Sequence, residues 1–331
     1  MKRVISFFPI LFCLVLASCG GGSKAPIFPI EETLTQELMP LQGITNPLIV
    51  EVKSPYLVFI NMNMRDSLFQ IYDLRTQEMT YAWGSIGDGP GEFNLPWLMR
   101  TPFSELVITD KQTFHFYEIN EKGEAVLKCS KKPQYPNSVT EAAFLNDSTF
   151  VVDAQYTGPN LYLYNMRDEA PLKSWKYRDP NRLDYNTDPN MGHLYANENR
   201  IILAYEYKKE IDFMDTEFNL IKKVKFDFPV SDESLLGSGD CNSAYTYGYM
   251  GKRYFYSIVF ETSWNKYRQN KTHNTYLEVF DLDGKPIARY FLDGKSPVYF
   301  AVDETTFTLY GTIDDGIPED NLLVYKLKGL S

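Results

Sequence analysis

Leu68-Phe69-Gln70-Ile71-Tyr72-Asp73 reads as one buried strand ending on an acidic residue, where the chain must turn. The same pattern returns as Phe114-His115-Phe116-Tyr117-Glu118-Ile119-Asn120, Leu161-Tyr162-Leu163-Tyr164-Asn165 and Ile211-Asp212-Phe213-Met214-Asp215. It returns again as Tyr276-Leu277-Glu278-Val279-Phe280-Asp281 and finally as Leu322-Leu323-Val324-Tyr325. Aligning Tyr72, Tyr117, Tyr164, Met214, Phe280 and Tyr325 gives steps of 45, 47, 50, 66 and 45 residues. A four-stranded propeller blade takes about 40–50 residues. The spacing predicts six such blades, with one large insertion between the fourth and the fifth.

Strands flank each repeated strand. Glu105–Thr109 and Ala125–Cys129 bracket the second, and Tyr254–Phe260 and Ile287–Leu292 bracket the fifth. Lys122-Gly123 and Asp283-Gly284 supply hairpin turns with a glycine free to take positive φ. A composition of 15% aromatic residues, with 24 Tyr and 22 Phe, suits an all-β protein. A β-sandwich does not predict so regular a period, and β-helix rungs are much shorter. The fold expected is an all-β six-bladed propeller of four-stranded antiparallel blades over residues 33–331. Too few residues follow Tyr325 to complete the sixth blade, so Thr33–Leu41 is expected to close the ring as its missing strand, removing an open edge.

The first residues point outward from the cytoplasm. Met1-Lys2-Arg3 is basic, Val4–Leu16 is apolar apart from Ser6 and Pro9, and small residues follow. That run is too short to span a bilayer, which takes about 20 apolar residues, and has the layout of a secretory signal. Leu16-Ala17-Ser18-Cys19 resembles a lipobox, which implies cleavage after residue 18 and lipid on Cys19. Residues 19–32 then read as a tether, opened by Gly20-Gly21-Gly22-Ser23. The expected location is the outer membrane, on its periplasmic side. The formal charge of −10 becomes −12 when Lys2 and Arg3 leave, which argues against nucleic acid. Cys129 and Cys241 fall in different repeats and are expected to stay free.

Gly84-Ser85-Ile86-Gly87-Asp88-Gly89-Pro90-Gly91-Glu92-Phe93-Asn94-Leu95-Pro96 resembles the segment that links blades in NHL-type propellers. There a glycine-rich turn leads to a buried Phe and a Pro opening the next inner strand. With the lipobox, the whole chain resembles the TolB-like six-bladed propeller lipoproteins of Bacteroides-type bacteria. The resemblance implies fold and compartment and little chemistry. A phosphate loop would need a helix N-terminus and a Lys-Ser/Thr pair that the segment lacks.

No catalytic constellation stands out. His115, His193 and His273 lie in three different repeats without ligand spacing, and no serine-hydrolase elbow occurs. No cofactor is implied: Asp281-Leu282-Asp283-Gly284 resembles the start of a calcium loop but lacks the later Glu and lies on a hairpin turn, and the acidic Asp314–Asp320 is the stretch where calcium would be sought. The long connections 177–193, 229–247, 261–273 and 312–320 would share one face, where binding loops usually sit. They carry Arg178, Arg182, Tyr185, His193, Asp240, Tyr245, Trp264, Tyr267 and Arg268, a set suited to a protein, peptide or glycan. The expected function is a non-enzymatic binding or scaffold lipoprotein of the cell envelope. The alternative is a carbohydrate-active hydrolase or lyase using carboxylates on the same face.

Overall fold

The computed structural model describes residues 26–331 except 45–46, 62–63, 136–138, 155–159, 180–183, 270–274 and 314–320. Two strands come first, β1 (Ile30–Thr35) and β2 (Glu37–Pro40). Blade one is β3 (Ile49–Lys53), β4 (Tyr56–Ile60), β5 (Phe69–Asp73) and β6 (Glu78–Trp83). A short parallel pair, β7 (Ser85–Ile86) and β8 (Glu92–Phe93), leads to blade two: β9 (Pro96–Met99), β10 (Leu106–Asp110), β11 (Thr113–Ile119) and β12 (Ala125–Lys131). Blade three is β13 (Val139–Phe144), β14 (Thr149–Ala154), β15 (Leu161–Asn165) and β16 (Lys173–Trp175). Blade four is β17 (Gly192–Ala196), β18 (Ile201–Tyr205), β19 (Glu210–Met214) and β20 (Leu220–Lys225). Blade five is β21 (Asn242–Met250), β22 (Tyr254–Ser263), β23 (Thr275–Asp281) and β24 (Pro286–Asp293), with helix α1 (Trp264–Gln269) following β22. Blade six holds β25 (Phe300–Asp303), β26 (Thr308–Gly311) and β27 (Asn321–Lys326), with β2 as its outer strand.

The repeated segment is the third strand of every blade, and in blades one to five its terminal Asp or Asn makes the turn. Asp73, Asn120, Asn165, Asp215 and Asp281 each accept, through a side-chain oxygen, the backbone N–H two residues on, at 2.8–3.0 Å. In four blades the outer strand then carries one extra residue, opposite Ile71/Tyr72, Phe116/Tyr117, Phe213/Met214 and Val279/Phe280. Such a bulge sharpens the twist a blade needs. Gly123 and Gly284, at φ +76, bring these hairpins against the preceding blade; a Cβ there would meet Thr80 or Phe213 at 2.7 Å. Longer strands β21 and β22, α1, and the link across 226–241 account for the large step between repeats four and five.

The segment 84–96 is the blade link its sequence resembled. Phe93 is buried against Phe69, Gly84 takes φ +81 in the gap beside both rings, and Pro96 opens β9. Glu92 turns back to accept the Gly89 N–H at 2.7 Å. The glycines make room for a turn.

Closure is made by two strands where one was expected. β2 pairs antiparallel with β27 and completes blade six, as the tally of strands required. β1 runs parallel along β24 and gives blade five a fifth strand. Ile30 faces Ala288, just past the β23–β24 hairpin, so the chain joins blade five at the hairpin end of the ring. Leu34, Leu41 and Ile44 are buried in a core cluster shared with blades one, five and six, while Phe28 stacks on Phe226 at 5.5 Å between blades four and five. Burying four such side chains is worth about 1.5–3 kcal/mol each. Leu34→Ala should therefore cost about 2–5 kcal/mol in a urea melt. Removing residues 26–41 should abolish the cooperative transition, and a truncated chain melting like its parent would refute closure by these strands.

Candidate functional site

The innermost strands surround an axial channel, and their first residues open at the face that carries the links between blades. There they enclose a funnel of about 560 Å³, lined from all six blades. Trp97 stands at its mouth, 42% exposed, edge-on to Tyr299 at 6.1 Å; Tyr299 in turn contacts Tyr247 at 5.3 Å. Arg100 lies deeper and reaches across the axis. Its guanidinium donates to the Phe300 carbonyl of blade six at 3.1 Å and sits 5.5 Å over the Tyr249 ring of blade five. Glu51 lies beside it, 2% exposed, its carboxyl pushed up by burial against the pull of Lys53 and Arg100. A second cavity of about 590 Å³ opens toward the hairpin face and shares Glu51, Thr101, Pro102 and Met250 with the funnel. Lys53 braces that side by donating to the Thr101 and Phe103 carbonyls at 3.0 and 2.7 Å.

One wall of the funnel is an ionic triad that ties blade three to blade four. His193 Nδ1 meets Glu141 at 2.8 Å and its Nε2 meets Glu206 at 2.7 Å. The other Glu141 oxygen accepts the Leu194 backbone N–H. Burial works against charge on the imidazole, but the two carboxylates and their hydrogen bonds outweigh it and raise its pKa to about 10. Both ring nitrogens therefore donate. Glu141 stays 30% exposed to the funnel while its orientation is set from behind. These two carboxylates grip one imidazole, so they do not face each other across a gap that could hold a glycosidic bond and a water.

Thr246 and Tyr247 both reach the funnel because β21 bulges between Tyr245 and Tyr247. Across the same hairpin Glu261 takes φ +55, which turns it to Lys209 at 2.6 Å and Arg289 at 2.7 Å. Bulges of this kind re-aim side chains near binding sites.

Of the described residues among those singled out from sequence, His193 alone lines the funnel. Arg178 is buried, bonded to Asp153 at 2.9 Å and stacked over Tyr185 at 4.5 Å. Tyr185 donates to the Gly192 carbonyl at 2.8 Å, and Tyr245 to the buried Glu278 at 3.1 Å. These three are internal ties. Trp264, Tyr267 and Arg268 do gather, on α1: the two rings stack at 5.3 Å and Arg268 lies 5.0 Å over Trp264. Asp240 joins them by accepting from Asn265 at 2.9 Å. Arg182, His273, Cys19 and the acidic stretch Asp314–Asp320 lie outside the described residues. Among the described residues, no three His, Cys, Asp or Glu side chains converge on a metal-sized site, and no helix is long and apolar enough to cross a membrane. Cys129 is exposed on β12 and Cys241 is buried in the link to blade five; both are free thiols.

A closed ring of six blades, five of four strands and one of five, around an axial funnel defines a six-bladed β-propeller. The family described as TolB-like 6-blade propeller-like matches residues 29–305, and the chain belongs to it. Among solved structures it is similar to a DUF4221 family member from Bacteroides vulgatus ATCC 8482. That match has 14% identity and a TM-score of 0.58, covering 88% of this chain and 96% of the other. It is also similar to a candidate exported protein from Bacteroides fragilis NCTC 9343. There the identity is 11% and the TM-score 0.56, with 89% and 98% of the two chains covered. At these identities the likeness is one of fold. No curated protein matches the chain by sequence.

The triad makes stability depend on pH with a definite sign. His193 titrates near 10 when folded and near 6.5 when unfolded, so its contribution is fully present below pH 6.5. It is lost progressively as pH rises toward 10. Thermal melts should show the parent losing more stability over that window than His193→Gln. Equal losses in the two would remove the triad's charge from the account.

Proposed function

We propose that this protein is an exported, membrane-anchored binding propeller that takes a small ligand, or the end of a larger one, into the funnel on its link face. The observation that carries the reading is the funnel's construction. An aromatic mouth, a carboxylate fixed in place and a guanidinium across the floor meet in one concavity, the arrangement that binding sites share. The lipobox at Cys19 supports the anchor, and the entry of β1 at the hairpin end supports the orientation. A tether on that side leaves the funnel facing away from the bilayer, toward the periplasm.

Two experiments test the reading. Cys19→Ala should move the protein from the detergent-soluble membrane fraction to the soluble periplasmic fraction; an unchanged distribution would exclude the lipid anchor. The chain has four tryptophans, so 5-fluorotryptophan labelling gives four resolvable 19F signals. In a screen of small polar fragments, the Trp97 signal should move first, and Trp97→Ala should weaken binding on the order of tenfold. Shifts centred on Trp264 instead would place the site on the α1 side and reject the funnel.

A further inference from the structure

The funnel's charge balance narrows what it can hold. Arg100, Lys111 and His193 bring three positive groups to it. Glu51 and Glu141 line it as well and Glu206 stands directly behind His193; Lys53, 3.6 Å behind Glu51, and Asp88, 3.9 Å from Lys111, add one charge of each sign, so the positive and negative groups match four to four. The signs are interleaved around the ring. A cationic ligand drawn to Glu141 meets Arg100 and Lys111; an anionic ligand drawn to Arg100 meets Glu51 and Glu141. Neither can approach one partner without approaching the wrong one. A purely apolar ligand fits no better, because seating it would strip water from Glu141 and Arg100 without replacing their hydrogen bonds.

A neutral ring with apolar faces and a belt of hydroxyls meets every part of this wall. We infer that the funnel recognises a neutral pyranose, alone or as the end of an oligosaccharide, with Glu141 and Arg100 as its polar contacts. The ring's C–H face stacks on the exposed Trp97, backed by Tyr299 and Tyr247. Glu141 accepts from a sugar hydroxyl with the lone pairs that His193 and Leu194 leave over. Arg100 uses one hydrogen bond on Phe300, and its planar fork offers further N–H groups to neighbouring hydroxyl oxygens. His193 and Glu206 are positioning residues: they hold Glu141 and touch no sugar. The inference rests on the funnel being the binding site, and it names what binds there.

The 19F-labelled protein tests it with four neutral probes, cellohexaose, xylohexaose, mannohexaose and chitohexaose. Two charged probes, hexameric chitosan and trigalacturonate, and a set of tryptophan-free acetylated pentapeptides complete the panel. At least one neutral sugar should shift the Trp97 signal, and both charged sugars should bind at least tenfold more weakly than it. Glu141→Gln and Arg100→Lys should each lower affinity for that sugar at least tenfold, with the melting transition retained. His193→Gln should lower it too, because Glu141 loses its fixed orientation. Peptides or charged sugars moving Trp97 while the neutral sugars do not would overturn the sugar assignment and leave the funnel as a site. No probe moving Trp97 would overturn both. A neutral sugar that binds Glu141→Gln and Arg100→Lys undiminished would overturn the assigned contacts; should either variant fail to fold, Lys111→Gln, on the exposed rim, keeps the charge-balance argument open to refutation, because it should improve binding of hexameric chitosan.

Discussion

A ring of blades is incomplete until its two chain ends meet. Here they meet across four residues, where Glu37–Pro40 pairs with Asn321–Val324. Without that pairing blade six would have three strands and an open edge, and blades five, six and one would lose their shared cover of Leu41 and Ile44, which follow directly on β2. The funnel depends on the same closure. Arg100 of blade two spans the channel to blades five and six, which holds only while those blades are fixed opposite it. A funnel assembled from six inner strands is as exact as the ring is shut.

What sequence could reveal follows from how local each feature is. The third strand was legible because burial, an aromatic residue and a turn-making Asp or Asn all fall within six residues. The aligned Tyr72, Tyr117, Met214 and Phe280 each sit directly after a bulge, a regularity of structure that fixed the period in sequence. The single blade link was legible for the same reason. β1 was not, because its partner lies some 250 residues away and parallel pairing leaves no hairpin signal.

The funnel was illegible on the same grounds. Trp97, Arg100, Glu141 and Tyr299 come from three blades, each on or beside a short inner strand that looks like ordinary core. Long loops drew attention instead, and several of their polar residues turn inward. Arg178 fastens blade three to its outgoing link through Asp153. Lys209 joins blade four to blade five at Glu278, which Tyr245 also holds from within blade five. Buried ion pairs of this kind add little net stability, but breaking one strands a charge. Their role in sequence looks like surface recognition because the residue types are the same. His193 was singled out with the loops and lies in the funnel; it is the last residue of its loop and the second residue of an inner strand.

The diagonal course of residues 30–40 has a mechanical meaning. The segment starts at the hairpin end of blade five, runs beside β24 in parallel, and crosses to β27 without reversing direction. A pull on the chain ahead of Ile30, directed out of that end, runs along the strand axis. The hydrogen bonds of both pairings then carry the load together, in shear, where a strand peeled from its end would release them one at a time. A ring held by such a clasp resists tension at its own closing point.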